Sequence, residues 1–142
     1  MLTADIRKLI PHGGSMCLLE RVISWDAVCL SATTATHRRA DNPLLRNGKL
    51  DSVHLCEYGA QAMAVHGGLL AQQEGQRALP GFLVSLRDVW LLPINVQECA
   101  GELVVATLRL YGDGNGWQYE FKVSHQTGLL ASGRVAVVLR RG

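Results

Sequence analysis

The chain has 142 residues, of which 48% are hydrophobic and 18% charged, and its 14 Lys plus Arg stand against 12 Asp plus Glu for a net charge of +2. That length fits one domain with a sizeable core, expected here to span residues 1–142, and the composition excludes intrinsic disorder. So small a charge is no nucleic-acid footprint, and the 15 Gly and 4 Pro follow no collagen-like period. The four cysteines, Cys17, Cys29, Cys56 and Cys99, form neither a Cys-x-x-Cys pair nor a short Cys/His cluster. They read as free thiols in a reducing cytoplasm, with no metal site expected.

In chain order, Thr3–Ile10 reads as a short helix, with a Thr3 cap, apolar Ile6, Leu9 and Ile10 at helical spacing, and Pro11 as its stop. Its charged residues exclude a secretory signal. Met16–Trp25 and Val28–His37 read as two strands, the second alternating through Leu30, Ala32, Thr34 and Thr36. From Leu50 to about Leu70 the spacing becomes helical, with Val53, Cys56, Ala60, Ala64, Gly67 and Gly68 on an almost wholly apolar segment and Asp51 or Ser52 as N-cap. That segment is too short and too polar for a membrane span and reads as a core helix. After a breaker at Gly75–Pro80, four further strands are expected at Phe82–Leu92, Gly101–Tyr111, Trp117–His125 and Leu129–Arg140. Six strands with one long helix inserted after the second describe an α+β chain. A curved antiparallel sheet wrapped around that helix is the hotdog fold.

Glu57 is the only Asp or Glu between Asp51 and Glu74 and lies within the apolar helix. Either it reaches a solvent edge or a hydrogen bond in the core, or it is a general acid, since a carboxyl in an apolar site stays protonated near neutral pH. His54 and His66 on the same helix read as packing residues. His37 ends a strand and opens the polar loop to the helix, a usual place for a site. Arg38, Arg39, Arg46 and Lys49 in that loop are either a solvated cluster or a basic rim that steers an acidic partner.

His37, Asn42-Pro43 and the run Glu57-Tyr-Gly-Ala-Gln61 occur in the order of the active-site block of hotdog 3-hydroxyacyl-[acyl-carrier-protein] dehydratases, which this chain resembles. Ile10-Pro-His-Gly-Gly-Ser-Met-Cys-Leu-Leu-Glu-Arg-Val22 is similar to that family's Leu-Pro-His…Leu-Leu-Asp-Arg-Val entry, and Glu57 through Gly67 resembles the helix of dehydratase-like proteins of aryl-polyene pathways. The chain differs from the housekeeping pattern in His37 lying five rather than four residues before Asn42, in a longer interval from Asn42 to Glu57 and in Asp51-Ser52 where Pro-Gly usually opens the helix. The resemblance implies removal of water from a 3-hydroxyacyl thioester without metal or organic cofactor, with His37 as base and Glu57 as acid. It implies substrate contacts from Asn42, Pro43, Ser52, Val53 and Gln61, the thioester carbonyl resting on helix N-terminal amides at Ser52 and Val53. The partners it implies are an acyl carrier protein presenting an acyl-phosphopantetheine, docked by Arg38, Arg39, Arg46 and Lys49, and a second hotdog subunit, identical or related. A hotdog acyl-thioesterase and a non-catalytic hotdog partner subunit are the alternative readings.

Overall fold

The structure is a computed structural model and describes residues 17–75, 81–113, 115–126 and 128–139. The helix expected at Thr3–Ile10 and the entry motif around Pro11 lie outside the described residues, as do the Gln76–Pro80 part of the breaker and Arg140. Six strands, β1 (Arg21–Trp25), β2 (Cys29–Thr34), β3 (Gly81–Leu91), β4 (Leu103–Asp113), β5 (Gly116–His125) and β6 (Gly128–Leu139), form one sheet in the order β1-β2-β4-β5-β6-β3. Every pairing is antiparallel. Among the described residues a single long helix, α1 (Leu55–Gln73), lies against it. This is the hotdog arrangement expected from the element order, with the helix inserted after the second strand.

Register explains which residues face the helix. Leu30, Ala32 and Thr34 of β2 pair with Thr107, Val105 and Leu103 of β4, which continue through Phe121 and Val123 of β5 to Gly133 and Ala131 of β6. Residues paired across neighbouring strands share a face, and these are buried while their chain neighbours are more open. Burying the Val, Leu and Phe side chains among them contributes about 1.5–3 kcal/mol each relative to exposure.

The helix touches this face at a glycine. A Cβ built on Gly59 would stand 2.4 Å from Cγ of Phe121, and one built on Gly133 would stand 2.8 Å from Cε2 of the same ring. The phenyl ring therefore occupies room that two absent side chains leave, one on the helix and one on the sheet. At its far end α1 stops through Gly75, whose φ of 70° only glycine adopts without strain and whose N–H donates to Gln72 O at 3.0 Å.

Several expected boundaries differ, among them those of the first two strands. The first strand begins at Arg21, not Met16; at Leu18 the chain is held by side chains in place of a backbone ladder, its N–H donating to Gln61 Oε1 at 2.9 Å and its O accepting the Thr34 and Thr36 hydroxyls. The second strand ends at Thr34, not His37. Its partner β4 begins at Leu103 opposite Thr34, so the chain beyond has no strand to pair with and turns into a 3-10 helix at Thr36–Arg38.

Candidate active site

His37 sits in the middle of that 3-10 turn with 0% exposure. Its Nε2 lies 2.8 Å from the Cys99 carbonyl, which can only accept, so Nε2 carries the proton and donates. Nδ1 is then the bare lone pair, and it is buried without a hydrogen-bond partner among the described residues. Burial holds the His37 pKa below the ordinary histidine value and so favours the neutral ring; the nearby Arg38 and His125 act in the same direction, while the Cys99 bond and Glu20 oppose it. A buried polar atom left unpaired costs about 1–3 kcal/mol, and folded proteins keep few of them.

The turn is tied to the helix on one side. Asn42 Nδ2 donates to Thr36 O at 3.0 Å and to Tyr58 Oη at 3.1 Å, and Tyr58 Oη lies 3.0 Å from Thr36 Oγ1. Asn42 Oδ1 accepts from Leu44 N–H at 2.9 Å. Tyr58 is fully buried, and burial raises its pKa, so it stays a phenol. On the other side Val96–Glu98 forms a second 3-10 turn, capped by Asn95, whose Oδ1 accepts from Gln97 N–H at 3.2 Å and from Leu50 N–H at 2.9 Å. The carbonyls of Gln97, Cys99 and Ala100 accept from Arg38, His37 and His125 respectively.

Glu57 lies in the first turn of α1 and is half-buried. Consecutive helical residues diverge by about 100°, so Glu57 points away from the direction in which Tyr58 enters the His37 turn. It heads a half-buried flank with Ala60, Ala64 and Gly67. The chain before α1 is not the helix start expected from Leu50. Asp51 caps a 3-10 turn at Ser52–His54 by accepting from Val53 N–H at 3.0 Å, and α1 begins only at Leu55. The Val53 amide is thereby occupied, and Ser52 is buried beside the isolated antiparallel bridge between Asp51 and Asn95.

The other expected site residues fall into two groups. Asn42 and Gln61 are buried and turn polar atoms to the fold; Pro43 is half-buried beside Asn42. In the basic loop, Arg39 pairs with Asp41 at 3.0 Å and Arg46 donates to the carbonyls of Pro43 and Leu45, so two of the four cations serve their own loop. Arg46 and Lys49 close a tight turn over Asn47 and Gly48, both at positive φ, and Lys49 and Arg38 are exposed. His54 is half-buried. His66 is enclosed: Nε2–H donates to Asp26 O at 2.8 Å, so Nδ1 accepts from Tyr119 Oη at 2.8 Å, with the rings edge to face. Burial pushes Tyr119 up to about 12, consistent with a phenol that donates.

Tyr58, Thr36, Asn95 and the Cys99 carbonyl escaped the sequence reading. Tyr58 adjoins Glu57 and was within reach of a helical-wheel argument; the Cys99 carbonyl is 62 residues from His37 and carries no local signal. Among the described residues no group of three or more His, Cys, Asp or Glu gathers as a metal site, and no helix is long and apolar enough to cross a membrane. None of the four cysteines forms a disulfide.

No curated protein matches the chain. Among solved structures it is similar to the dehydratase heterocomplex ApeI:P from Xenorhabdus doucetiae, with a TM-score of 0.85 at 23% identity over 96% of this chain and 91% of that one. AziG from S. sahachiroi follows at TM-score 0.58 and 21% identity, covering 87% and 92%. A hypothetical thioesterase with coenzyme A from Streptococcus pneumoniae TIGR4 has TM-score 0.59 and 10% identity, covering 84% of each chain. At these identities the likeness is one of fold. The family described as ApeP-like, ApeP dehydratase, matches residues 4–141, and this chain belongs to it.

Proposed function

We propose that the protein removes water from 3-hydroxyacyl thioesters carried on the phosphopantetheine arm of an acyl carrier protein, giving trans-2-enoyl thioesters. The observation that carries this reading is the state of His37: neutral, held by Nε2–H on the Cys99 carbonyl, with a buried lone pair on Nδ1 unmatched among the described residues. A fixed, neutral imidazole with one free nitrogen is a base prepared for a proton. Nδ1 takes the proton from C2, the C2–H electrons form the C2–C3 double bond, and the C3–O bond breaks as Glu57 delivers a proton to the leaving hydroxyl. Water departs, and the proton on His37 returns to the Glu57 carboxylate through solvent to restore both groups. The Ser52 amide is the donor that meets the developing charge on the thioester oxygen.

The divergence of Glu57 from the His37 turn supports a site completed by a second hotdog subunit. So does β3, an edge strand of 11 residues carrying exposed Val84, Leu86 and Trp90, with Val84 58% and Trp90 46% exposed. A long, apolar free edge is the kind that pairs with another chain. Arg38, beside His37, and Lys49 are the cations of the rim that best fit the acidic carrier; Arg39 and Arg46 are engaged within their loop. The free thiols fit a cytoplasmic location.

One observation favours a second reading, a partner subunit that shapes a site without performing chemistry: His37 has no exposed surface in the single chain. Mass measurement of products, from the protein alone and with a related hotdog subunit, separates the readings. Loss of water from a 3-hydroxyacyl thioester by the protein alone supports the dehydratase. Free thiol from a saturated thioester identifies a thioesterase, and turnover only with an intact partner site identifies the supporting subunit.

A further inference from the structure

We infer that Asn95 is a positioning residue for His37, fixing the carbonyl that sets which ring nitrogen is free. The Cys99 carbonyl lies at the end of the Val96–Glu98 turn, where Cys99 N–H donates to Val96 O at 3.0 Å and Glu98 N–H donates to Asn95 O at 3.2 Å. A turn of three residues has little rigidity of its own. Its fixed point is the Asn95 side chain, whose single Oδ1 accepts from two segments: Gln97 N–H inside the turn and Leu50 N–H in the chain leading to α1. The contact is reinforced where Val96 N–H donates to Leu50 O at 2.8 Å, with Leu50 and Val96 both fully buried. The turn that ends in the Cys99 oxygen is thus tied to the chain leading to α1, and the imidazole is oriented by the oxygen. Loss of that anchor frees the ring to rotate and to move its proton between nitrogens.

The chemical consequence rests on the dehydratase reading, but the positioning does not, so the test has two independent readouts. Nitrogen-15 spectra of the histidine side chains report the tautomer directly. In the wild type the His37 signal, assigned by its loss in His37→Ala, shows the proton on Nε2. Asn95→Asp retains an acceptor for both amides and is expected to keep that signature. Asn95→Ser, whose shorter hydroxyl still caps Gln97 but falls short of Leu50, is expected to give a mixture of tautomers. Asn95→Ala is expected to do the same more completely.

With 3-hydroxyacyl thioester, the Ala and Ser variants are expected to lose kcat by up to about a hundredfold at little changed KM, since a displacement of about 1 Å at a reacting group is enough for such a loss. Asn95→Asp is expected to restore most of it. A fixed Nε2–H tautomer in a folded Asn95→Ser or Asn95→Ala protein overturns the inference, as does a wild-type His37 protonated on Nδ1. Should Asn95→Ala not fold, the Ser and Asp pair decides alone. A tautomer lost in Asn95→Ser, in a protein that turns over no 3-hydroxyacyl thioester, leaves the positioning standing and removes the proposed reaction.

Discussion

Replacing Gly59 by Ala tests how closely the acid-bearing helix must approach the sheet. The new methyl would lie 2.4, 2.6 and 2.9 Å from Cγ, Cδ1 and Cβ of Phe121, well inside van der Waals contact. The ring has little room to retreat, because its other edge already rests over Gly133, where a built Cβ would lie 2.8 Å from Cε2. Two effects of opposite sign compete. Gly→Ala in a helix interior is worth about 0.5–1 kcal/mol in favour of folding, whereas overpacking of this kind costs about 1–3 kcal/mol and here involves a fully buried aromatic ring. The steric effect wins, for an expected net loss of about 1–2 kcal/mol by urea denaturation. Phe121→Leu, itself destabilising, should remove most of the Gly59→Ala penalty, giving a favourable coupling of at least ~0.5 kcal/mol in the double-mutant cycle. A Gly59→Ala protein as stable as the wild type, or additive behaviour of the pair, refutes the close approach of α1 to the sheet.

Tyr119→Phe removes the donor to His66 Nδ1 and leaves that nitrogen buried and unpaired, so a loss of about 1–3 kcal/mol is expected in thermal or chemical unfolding; an unchanged midpoint contradicts the hydrogen bond. Stability should also fall with acid in a defined window. Burial lowers the pKa of both His37 and His66 from 6.5, so below that value the unfolded chain binds more protons than the native one. Stability then rises with pH across the window and is lost as pH falls below about 6.5, at up to ~1.4 kcal/mol per pH unit for each ring until its folded pKa is reached. Unfolding free energy that stays level from pH 7 to pH 5 contradicts both neutral histidines.

The sequence carried the architecture because the elements are locally marked. The sequence run Gly112-Asp-Gly-Asn-Gly116 marks the change from β4 to β5, and the change from alternation to helical spacing after Leu50 marks α1. The same local logic misplaced His37. Alternation through Leu30, Ala32, Thr34 and Thr36 continues the strand pattern past Thr34, yet a strand lasts only as long as its partner, and the antiparallel β4 begins opposite Thr34. The threonine hydroxyls that look like one more strand position instead bind Leu18 O and build the turn. The turn at Asn47-Gly48 was legible from its dipeptide and went unread. Glu57 was found because a carboxyl in an apolar helix is anomalous on its own. The anchors of His37 were not, since the Cys99 carbonyl meets it only through tertiary packing 62 residues along the chain, and Asn95 acts on it only through that turn.

The central claim is that His37 and Glu57 are the base and acid of one dehydration. It is tested most directly by single-turnover conversion of a 3-hydroxyacyl-[acyl-carrier-protein] substrate by wild-type, His37→Ala and Glu57→Gln proteins matched for melting temperature. The account predicts enoyl product from the wild type and a loss of about 10²–10⁴-fold for His37→Ala, the range typical of one general base, with Glu57→Gln inactive although it keeps the side-chain volume. Product formation by folded His37→Ala at the wild-type rate, or more than about a tenth of wild-type activity in Glu57→Gln, contradicts it.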